Sequence, residues 1–76
     1  MLDAAQCRMA RAAVGLTRNE LAELADVSVA TLSDFERGNR APYSRTLRDI
    51  REALECRGIT FLEADTSGSG VRFRDN

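Results

Sequence analysis

Four times before residue 58 the chain opens a helix and closes it again within about a dozen residues, and that punctuation limits the fold to short helices packed at steep angles. Asp3 with Gln6 reads as an N-cap and its reciprocal partner. Cys7, Ala10, Ala13 and Val14 follow at helical spacing and Gly15 supplies a left-handed stop, so a first helix is expected over about residues 4–14. Thr17 with Glu20 is a capping box, Leu16 is placed to clasp Leu21, and the expected apolar side of this second helix is Leu21, Leu24 and Ala25. Asp26 then takes the turn position, where a residue able to enter the left-handed region is wanted. Ser28 caps a third helix with Val27 and Leu32 as its staple and Phe35 on the same face, closed by Gly38. After Asn39-Arg40-Ala41-Pro42, the residues Leu47, Ile50, Ala53 and Leu54 draw a fourth helical stripe over about 44–57, stopped by Gly58. Beyond it Ile59 and Phe61, then Val71 and Phe73, alternate with polar neighbours on either side of Thr66-Ser67-Gly68-Ser69-Gly70, the pattern of two short strands around a turn.

At 76 residues there is room for one domain, one small core and no deep substrate cavity. A hydrophobic share of 43% with 30% charged residues and a single proline, Pro42, is the balance of a soluble folded chain. No export signal or membrane anchor is visible, so a cytoplasmic location is expected. There is no histidine, and Cys7 and Cys56 stand 49 residues apart, which leaves a zinc site without ligands and a disulfide scaffold without bridges. Both cysteines are expected as reduced, small apolar fillers. No cofactor or metal is expected, and with no Ser or Cys beside a plausible base the chain does not look like an enzyme.

The net charge of −1 and a pI near 5.3 argue against a polyanionic partner until the charges are mapped. Residues 17–36 carry one Arg against five acidic groups, net −4, whereas residues 37–51 carry five Arg against one Asp, net +4. All eleven basic residues are Arg, which suits bidentate contact with phosphate, although a G+C-rich coding bias produces the same choice.

The informative unit is residues 17–38, two short helices joined by a tight turn, the second with small polar and apolar residues on its outward face. Such a helix can enter a major groove about 12 Å wide while its predecessor lies across the sugar-phosphate backbone. The chain from Arg11–Gly15 through Leu16-Thr17-Arg18-Asn19-Glu20-Leu21-Ala22-Glu23-Leu24-Ala25, then Val27-Ser28, Thr31-Leu32-Ser33, Phe35-Glu36-Arg37-Gly38, Pro42 and Thr46-Leu47, resembles the Cro/C1-type (XRE-like) helix-turn-helix family over about residues 8–57. That resemblance implies a mainly α fold: a four-helix, lambda-repressor-like DNA-binding domain over residues 1–58, followed by a short C-terminal β-hairpin or strand over 59–76 as a candidate dimerisation element.

The resemblance also implies roles. Ser28, Val29, Ala30, Thr31, Ser33 and Asp34 would face base edges. Val29, Ala30 and the Thr31 methyl suit thymine methyls, Ser33 and Thr31 donate or accept, and Asp34 accepts, as from a cytosine amino group. No Gln or Arg stands among them, which points to few direct hydrogen bonds and more reading of shape. Thr17, Arg18, Arg37, Asn39, Arg40, Tyr43 and Arg45 would meet phosphates, with Arg48 and Arg51 weaker candidates that i,i+4 pairing with Glu52 and Glu55 would also explain. Arg11 and Glu36 would form an ion pair between the first and third helices. Phe61, Val71 and Phe73 would offer an apolar face to a second subunit, or lean on the chain's own helices.

The function expected is a bacterial or phage-type transcriptional regulator, most simply a repressor, binding double-stranded DNA as a homodimer with no small-molecule ligand or membrane partner. An antitoxin or excision factor would share the fold. A protein-binding module that gave up DNA is the rival from another class, supported by the overall acidity.

Overall fold

The computed structural model describes residues 2–62 and 70–73, the last two by backbone alone. Four helices, α1 (Ala4–Val14), α2 (Arg18–Ala25), α3 (Val29–Glu36) and α4 (Ser44–Glu55), are followed by strands β1 (Ile59–Leu62) and β2 (Gly70–Phe73). The turn sequence around residues 66–69 lies outside the described residues.

The helix starts follow from the caps. Asp3 Oδ1 accepts the Gln6 backbone N–H at 2.7 Å while Gln6 Oε1 accepts the Asp3 N–H at 3.0 Å. Thr17 and Glu20 repeat the exchange at 3.1 and 2.9 Å, and Ser28 Oγ accepts the Thr31 N–H at 3.1 Å. Gly15 ends α1 at φ 74°, and Asp26 ends α2 at φ 56°, the one non-glycine residue of positive φ among those described. α4 departs from this pattern: its N-cap position, Tyr43, makes no side-chain capping bond, and the helix stops at Glu55, two residues before the expected end.

The core is built from Cys7 and Ala10 of α1, Leu21, Ala22 and Ala25 of α2, Leu32 and Phe35 of α3, and Leu47, Ile50 and Leu54 of α4, joined by Leu2, Ile59 and Phe61. Each fully buried Leu or Ile contributes about 1.5–3 kcal/mol relative to exposure. Two sequence assignments shift. Ala13 is exposed and Leu24 is 46% exposed; their places are taken by Gln6 and Ala22. α2 is packed by both α3 and α4, so its buried sector is centred on Leu21, Ala22 and Ala25, and Leu24 is left outside it. Cys56, expected inside, is exposed beyond the end of α4.

The two strands pair antiparallel, with Ile59 opposite Phe73 and Phe61 opposite Val71, and the sheet packs on α1 and α4. A two-stranded sheet is marginal alone. Here one side chain fastens both strands: the buried Gln6 Nε2 donates to the Leu62 carbonyl at 2.8 Å and to the Gly70 carbonyl at 3.1 Å. Phe61, expected to face a second subunit, faces inward at 7% exposure under the Arg51 guanidinium, 5.4 Å from its ring centre. Val71 is half-buried against the same core, and the Phe73 side chain lies outside the described residues. Among the described residues no helix is long and apolar enough to cross a membrane.

Candidate nucleic-acid interface

α3 presents two chemistries because its eight residues are pinned from one side. Leu32, Phe35 and Glu36 are buried, which turns Val29 and Ala30 outward into the exposed class, Val29 at 42%, and leaves Thr31, Ser33 and Asp34 half-buried along the rim. Ser28, just before the helix, is exposed, but its hydroxyl is occupied: it accepts the Thr31 N–H and donates to Thr31 Oγ1 at 2.8 Å. The outward face therefore offers two apolar side chains, the remaining Thr31 hydroxyl proton, the Ser33 hydroxyl and an acceptor-only carboxylate.

Next to this face runs the α3–α4 connection. Arg37, Asn39, Arg40, Tyr43 and Arg45 are all exposed, Tyr43 at 86%. A shallow cleft lined by Thr31, Arg40, Ala41, Pro42, Tyr43 and Thr46 joins the middle of α3 to that connection and to the start of α4. Among the described residues, the side chains of Arg37, Arg40 and Arg45 have no hydrogen-bond or ion-pair partner, so their guanidinium donors are available to an outside anion. Arg51 differs, paired with Glu55 at 3.2 Å.

Behind the face lies a buried polar knot on Glu36, whose side chain is fully buried. Arg11 grips its carboxylate with two bonds, Nε to Oε2 at 2.9 Å and Nη2 to Oε1 at 3.0 Å, and uses Nη1 on the Leu16 carbonyl at 3.2 Å. Arg18, placed among the phosphate residues by sequence, donates its Nε–H to Glu36 Oε1 at 2.9 Å. The Cys7 thiol donates to Oε2 at 3.3 Å, and Arg8 Nη1 donates to the Glu36 backbone carbonyl. Burial opposes the charge on Glu36, yet the hydrogen bonds from Arg11, Arg18 and Cys7, with the Arg11 charge, outweigh it and hold the carboxyl below its usual range. The same bond from Arg11 raises the guanidinium's own pKa against desolvation. Burial first, then the Glu36 bond and charge, push the Cys7 thiol up, so it stays protonated.

Sequence reasoning missed Arg8 and Cys7 as members of this knot. One signal existed: Arg8 lies three residues before Arg11 and Cys7 four before it, so all three share one side of α1. Thr17 is exposed, with its hydroxyl accepting the Glu20 N–H in the capping box.

A helix-turn-helix family model, of the Cro/C1 type, matches residues 8–61. No curated protein matches the chain. The matched span begins in α1 and runs through α4 into β1, so it contains every residue of the outward face and the arginine-rich connection, and all of the Glu36 knot except Cys7.

Proposed function

Since this chain belongs to the Cro/C1-type helix-turn-helix family of DNA-binding regulators, we propose that it is a repressor which binds paired half-sites as a homodimer, with α3 in the major groove. Ser28, Val29, Ala30, Thr31, Ser33 and Asp34 meet the base edges, and Thr17, Arg18, Arg37, Asn39, Arg40, Tyr43 and Arg45 hold the flanking phosphates. The observation that carries this reading is the adjacency of two features. The outward side of α3 is free of core contacts, and the cleft at Thr31 leads straight to Arg40 and Tyr43, beside guanidinium groups with no partner among the described residues. With so few hydrogen-bonding groups on α3, base discrimination rests on methyl contacts and on the deformability of the site. Repression follows from occupancy of a promoter.

A mobility shift with the DNA upstream of its own gene, repeated across a salt series, tests the reading. Binding should weaken steeply with salt, and Arg40→Ala should reduce the slope of log K against log salt by about 0.9. No shift at low salt refutes the proposal.

The homodimer is supported by the half-site spacing of about 34 Å that one small domain does not span. Among the described side chains of the sheet, the outward Leu62 at the end of β1, 40% exposed, is an apolar group still on offer. Leu62→Glu should therefore yield a monomer by sedimentation, and an unchanged dimer would place the interface elsewhere. Deleting residues 59–76 is not a usable test, because Ile59 and Phe61 belong to the core.

A further inference from the structure

The Glu36 knot holds more positive charge than it neutralises. Two guanidinium groups, Arg11 and Arg18, converge on one carboxylate, and the thiol that also donates to it is neutral. The two arginines are used differently. Arg11 is consumed: Nε, Nη2 and Nη1 all donate within the chain, and its side chain is 22% exposed. Arg18 spends only Nε; among the described residues neither of its Nη groups has a hydrogen-bond partner, and its side chain is 35% exposed.

A guanidinium is a rigid plane with five N–H donors, so an acceptor on its Nε edge leaves the Nη edge able to bind a second oxyanion at the same time. We propose that Arg18, oriented by the buried Glu36 carboxylate, is a phosphodiester-binding site whose Nη edge takes one DNA phosphate, and that Glu36 is a positioning residue for DNA binding as well as a structural one. With Arg8 on the Glu36 backbone carbonyl the cluster holds three guanidinium groups, so one phosphate brings it to three positive and two negative charges. This rests on the DNA reading above and adds to it a role for a residue that touches no DNA. The gain is preorganisation: the long Arg18 side chain is already ordered before the duplex arrives, so less rotamer freedom is lost on contact.

The test uses the full chain and a mixed-sequence duplex long enough for two half-sites, with affinity followed by fluorescence anisotropy across a salt series. Arg18→Ala should weaken binding about tenfold, as expected for loss of one charge-assisted contact, and flatten the salt slope by about 0.9. In a Glu36→Gln background the same Arg18→Ala change should cost less than about threefold, because the arm is no longer held. An equal Arg18→Ala penalty in both backgrounds overturns the coupling. Arg18→Lys provides an arm that leaves Glu36 in place: an ammonium keeps the charge but lacks two edges, so it should lose most of what Ala loses, and wild-type affinity for Lys overturns the proposal. Should Glu36→Gln fail to fold by circular dichroism, the Lys variant decides. Failure of the wild-type chain to bind the duplex at low salt is a different result, since it removes the DNA reading itself. Wild-type binding with a Glu36-independent Arg18 penalty removes only the positioning role.

Discussion

Glu36→Ala is the substitution whose cost the structure specifies best. The carboxylate is fully buried and accepts two bonds from Arg11, one from Arg18 and one from Cys7. Its removal strands two guanidinium groups that are 22% and 35% exposed. Removing one partner of a buried pair costs about 3–5 kcal/mol, and the lower end applies here because both arginines keep some contact with water. The lost methylene adds roughly 1 kcal/mol, for a total of about 4 kcal/mol. A chain of this length has a stability of roughly 4–11 kcal/mol, so the variant should keep about 7 kcal/mol at most and, at the low end of that range, be unfolded at room temperature. Its melting temperature should fall by roughly 15–30 °C. Arg11→Ala should be nearly as severe, since Glu36 would keep only Arg18 and the neutral Cys7 thiol, whereas Arg18→Ala should cost about 1 kcal/mol or less because that arm is more exposed and the Arg11 fork survives. Urea titration followed by far-UV circular dichroism measures all three. A Glu36→Ala penalty under about 1 kcal/mol, or Arg18→Ala exceeding Arg11→Ala, would show that the knot is not the joint between α1, α2 and α3 described here.

Three further outcomes follow from the same geometry. Folding holds Glu36 below its usual range, and unfolding releases it to about 4.3; as pH falls below that value the unfolded chain takes the proton first, so stability present at neutral pH should be lost toward acid, and Glu36→Gln should flatten that limb of the curve. Glu20, lowered by its bonds to Thr17, acts in the same direction, so the flattening should be partial. A thiol reagent should modify one cysteine in the native protein, the exposed Cys56, and reach Cys7 only at the rate of unfolding, because Cys7 is buried and held protonated; two fast equivalents would contradict the packing of α1. Gln6→Ala removes both bonds to the sheet and one half of the α1 capping box, so hydrogen exchange should speed up in Thr60–Leu62 well before it does in α2, at a cost of about 2 kcal/mol.

Helix boundaries were legible because the signals that set them are local. Asp3 with Gln6 and Thr17 with Glu20 close their boxes within four residues, and Asp26 enters the left-handed region where the turn requires it. What depended on neighbours was less legible. Leu24 and Ala22 stand two residues apart on an eight-residue helix, and only the arrival of α3 and α4 on one side decides which is buried. Gln6 advertises a capping role, and nothing local reveals that its amide reaches carbonyls 56 and 64 residues away. Arg18 looked like a free arm, yet the start of α2 and the end of α3 meet in space and give it a carboxylate. Phe61 and Val71 had the alternation of a half-buried strand; which side faced the core depended on α1 and α4.

The contradiction between an acidic chain and a polyanionic partner dissolves once each charge is given a place. Of the acidic groups in residues 17–36, Glu36 is internal and outnumbered by guanidinium groups, and Glu20 is folded back into its cap. Asp26 lines a separate groove between α2 and α4 with Asp49 and Glu52, beside the exposed Leu24. Exposed charges more than about 8 Å apart are largely screened from each other at physiological salt, and the molecule measures 30 × 26 × 20 Å. A phosphate at the α3–α4 connection is therefore governed by Arg37, Arg40 and Arg45 close by, and only weakly by the sum over the whole surface. Net charge sets how fast such a protein drifts toward DNA from a distance; on the proposed reading, where it holds is decided by the guanidinium groups beside α3 that have no partner among the described residues.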